Sequence, residues 1–149
     1  MIGDRITSGR SWSGRERHCL FLNTRDGKFA DASYAAGVDF AEDGRGLGLV
    51  DWDHDGDLDV WITARSAPRL RLLRNRSAMG RRYVALQLRG TTANRDGVGA
   101  RVTVHLDDGA PIVAAVRAGE GFLSQSSKVL TLGLGSANLK RVEVRWPGG

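Results

Sequence analysis

The chain has 149 residues, 41% of them hydrophobic and 26% charged, enough to bury one respectable core or two small ones. No apolar run approaches the ~20 residues of a membrane-spanning helix. The single cysteine, Cys19, excludes an internal disulfide framework and a cysteine-rich zinc site. The net charge of +5 is unevenly spread: five of the seventeen acidic residues lie between Asp51 and Asp59, and seven arginines lie between Arg65 and Arg82.

Twenty glycines against three prolines, with valine and leucine in short alternating runs, predict an all-β protein with many tight turns. Residues 1–18 are polar, glycine-rich and without periodicity, and read as an irregular lead. The opening MIGDRITSGRSW has no apolar core of the kind a signal peptide carries. The chain is therefore expected either to be cytoplasmic or to lack its true start.

From Cys19 the pattern changes. CLFLN reads as a short strand, TRDG as a turn, KFADAS as a second strand and AAGVDFAEDGRG as a loop. GLGLVDW runs as a third strand into an acidic loop, DVWITAR leaves it as a fourth, and RLRLLRN reads as one more edge strand. SAMGRR then reads as a linker, and we place the boundary near Met79.

Past that boundary the alternation is cleaner. Val84, Leu86 and Leu88 share one strand face, as do Val102, Val104 and Leu106, and likewise Val142, Val144 and Trp146. APIVAAVRAG and KVLTLGLG add two strands, so residues 79–149 are predicted to form a small antiparallel β-sandwich or barrel-like domain of about five strands.

The loop DWDHDGDLD carries the chemistry. Calcium takes about six to eight oxygen ligands, most easily from alternate side chains of a loop that a glycine lets bend. With Asp51 as position one, carboxylates fall at one, three, five and nine: Asp51, Asp53, Asp55 and Asp59. Gly56 at position six allows a positive φ, and Asp57 at seven can offer its backbone carbonyl. A solvated acidic turn is the plainer reading of such a run. Against it, two carboxylates about 5 Å apart repel by roughly 3 kcal/mol at an effective dielectric of 20, and strands pin the loop at both ends. An EF-hand is excluded because Ile62 stands at position twelve, where a glutamate should close the site, and because the flanks are strand-like. Magnesium, with its few protein ligands and rigid octahedron, fits less well.

FLNTRDGKFADASYAAGV followed by GRGLGLVDWDHDGDLDVWIT resembles an FG-GAP (VCBS-type) repeat, a β-propeller blade. RYVALQLRGTTANRDGVGARVTV, RAGEGFLSQSSKVLTLGLG and VEVRWPGG resemble the ASPIC/UnbV domain found after FG-GAP repeats in proteins similar to cartilage acidic protein. The two resemblances imply a partial FG-GAP-type blade over residues 19–78 followed by an ASPIC/UnbV-like β-domain over 79–149. They imply calcium held by Asp51, Asp53, Asp55 and Asp59, with Asp57 through its backbone. They further imply an extracellular, periplasmic or cell-surface setting and a non-enzymatic binding or adhesion role toward a protein or carbohydrate ligand. A propeller closes with several blades, and one is visible here. The chain is therefore expected to be the C-terminal part of a longer protein, or to cover its strand edges in an oligomer.

Other groupings have plain explanations. Asn94, Asp96, Gly97 and Gly99 read as a turn. The serines of GEGFLSQSS with His105 and Asp107 lack the strained elbow of a serine hydrolase, so no catalytic residue is assigned. His18 and Cys19 are adjacent on a strand and face opposite sides, so they cannot share a metal. The Arg65–Arg82 cluster is an alternative binding surface for a polyanion, a nucleic acid or sulfated glycan. Nineteen arginines against three lysines make arginine a chain-wide habit, and no aromatic platform for bases is interleaved with the cluster.

Overall fold

The computed structural model describes residues 16–77 and 80–148. Residues 1–15 of the expected lead, and the boundary expected near Met79, fall outside the described residues. The described residues form strands and turns and no helix. In chain order the strands are β1 (Phe21–Asn23), β2 (Phe29–Asp31), β3 (Gly44–Val50), β4 (Asp59–Ala64), β5 (Leu70–Leu73), β6 (Arg82–Leu86), β7 (Arg101–Leu106), β8 (Ile112–Ala115), β9 (Leu130–Gly135) and β10 (Leu139–Arg145). Each overlaps a stretch that alternation and turn residues predict, with β3 and β10 starting two residues earlier and β6 one residue earlier than expected. They pair as four small sheets, β1–β2, β3–β4–β5, β10–β7–β8 and β6–β9.

The chain groups into two compact units. The first takes Met1–Gly46 and Ile62–Leu73, and the second takes Leu47–Trp61 and Arg74–Gly149. The buried hydrophobic side chains among the described residues, Ala100, Val102, Val104, Val116 and Leu134, all lie in the second unit.

Polar contacts tie the first unit together. β1 and β2 are antiparallel, with Phe21 opposite Asp31 and Asn23 opposite Phe29. Ser33 fixes the end of that hairpin: its Oγ accepts the Leu20 N–H at 2.8 Å while its own N–H donates to Asp31 at 2.9 Å. The Arg71 guanidinium pairs with Glu42 and lies 4.1 Å over the Phe40 ring. That pairing holds the Glu42 carboxyl below its ordinary range. Phe21, Leu22, Phe29 and Tyr34 remain exposed.

In the second unit the valines sit where alternation puts them. β7 is the middle strand of its sheet, so Val102 faces Val144 on one side and Ala114 on the other, and Val104 faces Val142 and Ile112. Both valines are fully buried and form a core with Leu134, against which Val84, Leu86, Leu130 and Leu132 of the β6–β9 pair also pack. Each of the two fully buried valines contributes about 1.5–3 kcal/mol on burial. The segment between β8 and β9 is fastened to the end of β3: Ser126 Oγ accepts the Leu49 N–H at 3.2 Å, and the Ser127 N–H donates to the Leu49 carbonyl at 2.8 Å. Leu49 stands two residues before the acidic loop.

Candidate metal-binding loop

The acidic loop joins the end of β3 to the start of β4. It turns because His54 and Gly56 take left-handed backbone angles, φ +60° and +92°. Acid side chains wrap the turn from inside. Asp51 Oδ1 accepts the Asp55 N–H at 3.1 Å, and its Oδ2 accepts the Gly56 N–H at 3.2 Å. Asp55 Oδ1 accepts the Asp57 N–H at 2.9 Å. Each is a short-range side-chain-to-backbone bond of the sort that makes aspartate a turn residue.

The five sequence-predicted ligands divide into groups. Asp51, Asp53 and Asp55 converge, each offering an oxygen that lies within 4.8 Å of the others. Asp57 is buried beside them. Asp59 is fully buried, and both its oxygens accept backbone amides: Oδ2 from Trp52 at 3.0 Å and Oδ1 from Asn75 at 2.8 Å. It ties the first residues of the loop to the chain beyond β5. The Trp52 and Trp61 rings meet edge to face 5.3 Å apart, on the same stretch of chain.

Two residues outside the loop complete it, and nothing in the loop's own spacing announces them. Arg74 places its guanidinium on Asp53 and 3.9 Å from Asp55. It supplies the positive charge that three converging carboxylates require. Tyr83, at the start of the C-terminal strands, donates its hydroxyl to the His54 carbonyl at 3.1 Å. Its ring occupies the space that a side chain at Gly56 would need. Arg74 belongs to the arginine run between Arg65 and Arg82, and the folded chain gives it specific acids, Asp53 and Asp55.

The donor set fits a hard cation. It is all oxygen, with at least one carboxylate preorganised by two amides and a glycine where the chain bends most. Asp53 and Asp55 keep 27% and 36% of their side-chain surface open, so an ion has a way in. Arg74 occupies the carboxylates that such a cation would need.

The remaining groupings lie elsewhere. The Asn94–Gly99 stretch is a turn, with the Gly97 N–H donating to the Asn94 carbonyl at 2.9 Å and Asn94 Oδ1 accepting the Asp96 N–H at 3.0 Å. His105 pairs with Glu143 at 3.1 Å, and Asp107 accepts both the backbone and the side-chain N–H of Asn138 at 2.7 Å. Ser124 donates to a backbone carbonyl, while Ser126 and Ser127 accept backbone amides, so among the described residues no hydrogen bond joins a serine to His105 or Asp107. In the arginine cluster Arg71 and Arg74 are paired with acids, and Arg82 bonds Asn138.

No curated protein matches the chain. Residues 90–149, which hold β7 to β10 of the second unit, match the family described as ASPIC and UnbV, so the C-terminal segment carries that domain.

Proposed function

We propose that this chain is a calcium-braced binding module of extracellular type, without catalytic activity, in which an FG-GAP-like blade over residues 19–78 precedes the ASPIC/UnbV domain. The observation that carries the reading is the convergence of Asp51, Asp53 and Asp55 oxygens within 4.8 Å in a loop already bent by Gly56. These three would hold the ion, with Asp59 as a fourth carboxylate through its remaining lone pairs and the Asp57 carbonyl as a backbone ligand. The bound ion supplies positive charge that removes the carboxylate repulsion and fixes the turn between β3 and β4. Leu49, at the loop end of β3, fastens the β8–β9 segment, so a fixed turn also steadies part of the domain. Secretion or surface display, a protein or carbohydrate target, and adhesion form one consistent setting for such a module.

Calcium titration of the whole chain tests this. Affinity of about 10⁻⁴ to 10⁻³ M, as in extracellular modules, is expected, with a calcium-dependent rise in melting temperature that Asp53→Ala or Asp55→Ala abolishes. A wild-type melt that chelator and calcium leave unmoved overturns the reading. The polyanion surface at Arg65–Arg82 is the weaker proposal, because two of its arginines are already committed to acids.

A further inference from the structure

The outward face of the β10–β7–β8 sheet carries an uncompensated pair of arginines. Register places Arg145 directly opposite Arg101, Glu143 opposite Thr103, and Arg141 opposite His105. Alternation turns all six outward, since Val102, Val104, Val142 and Val144 fill the core between them. The rows differ in charge. Glu143 pairs with both Arg141, at 2.6 Å, and His105. Arg101 and Arg145 are exposed and have no acidic partner among the described residues. Like charges directly opposite on neighbouring strands oppose pairing, and here no acid relieves them. Hollows open on both sides of the pair, one lined by Thr103 and Glu143, the other by Gly99, Trp146 and Pro147.

We propose that Arg101 and Arg145 form a receptor for a compact tetrahedral oxyanion, a phosphate or sulfate, free or as a small monoester. Two guanidinium forks on adjacent strands can each present paired N–H groups to one such anion, and Thr103 adds a hydroxyl on the same face. An anion between them replaces repulsion by two attractions. The next row decides against an extended polymer: a polyanion lying along the strands would meet the Glu143 carboxylate immediately beyond the arginine pair. The site therefore reads one anionic group, and it is independent of the acidic loop.

Amide NMR of the full chain, in EDTA and at constant ionic strength, tests the proposal with inorganic phosphate, sulfate and methyl phosphate. Saturable shifts are expected at residues 99–103 and 143–147. Arg101→Gln or Arg145→Gln should weaken the apparent Kd about tenfold or more, and Arg145→Lys, which keeps the charge but loses the fork, by a smaller factor. Arg141→Gln should leave it unchanged. Methyl phosphate binding as well as phosphate identifies a monoester ligand, and phosphate or sulfate alone identifies the free ion. Shifts that do not saturate, that survive Arg145→Gln, or that fall equally with Arg141→Gln overturn the assignment, the last in favour of a polyanion surface. Because EDTA is present throughout, failure here leaves the calcium reading untouched.

Discussion

Tyr83 closes the acidic loop from outside, its ring filling the space over Gly56 and its hydroxyl donating to the His54 carbonyl at 3.1 Å. Gly56 is thus held to glycine twice, by a backbone φ of +92° that L-residues avoid and by an aromatic ring where a Cβ would stand. Gly56→Ala should cost about 1–3 kcal/mol from the backbone angle alone, and more from the clash. Urea denaturation of Gly56→Ala, Tyr83→Ala and the double variant measures the shared part. The double variant should lose less than the sum of the singles, because removing the ring removes the clash.

Asp59 and Asp53 are expected to behave differently although both belong to the same motif. Asp59→Ala takes the fully buried acceptor away from two part-buried backbone amides, those of Trp52 and Asn75, at a cost of about 1 kcal/mol each. It should therefore destabilise the chain with or without calcium. Asp53→Ala removes a partly exposed carboxylate and should spare the chelated protein while removing the calcium response. Thermal melts of both variants in EDTA and in calcium check the contrast. Equal losses in EDTA would contradict it.

Arg74 competes with any cation for Asp53 and Asp55. Its replacement by glutamine should do two opposite things. Without metal Asp53 and Asp55 lose the counter-charge of Arg74 and the loop softens. With metal the carboxylates are released, so calcium should bind severalfold more tightly, as seen by isothermal titration calorimetry. An unchanged affinity would place the cation elsewhere than between these carboxylates.

Acid should loosen the chain through a defined set of carboxylates. Hydrogen bonds from Asn138 lower the Asp107 pKa, Arg71 lowers that of Glu42, Lys128 that of Asp96, and His105 with Arg141 that of Glu143. A carboxyl whose pKa is lower folded than unfolded stabilises the fold above the ordinary carboxylate range. That contribution is lost as pH falls through the folded-state value. Urea midpoints should therefore decline from about pH 5 downward, over the range where unfolded carboxylates begin to protonate. Asp107→Asn should flatten part of the decline, because an amide in that place does not titrate.

The sequence determined the ten strands and the place of the acidic loop. Period-two alternation at Val102, Val104, Val142 and Val144 depends only on neighbouring residues along the chain. So does the run of acids about Gly56, of which Asp51, Asp53 and Asp55 converge in the folded loop. Tertiary structure decided what answers those groups. Tyr83 lies twenty-seven residues beyond Gly56, Arg74 twenty-one beyond Asp53, and Arg145 forty-four beyond Arg101. Each meets its partner through the path of the strands and their register, which long-range pairing sets and local spacing does not encode. Asp59 shows the difference in one side chain: the motif offers it as a ligand, and the folded chain also gives both its oxygens to backbone amides.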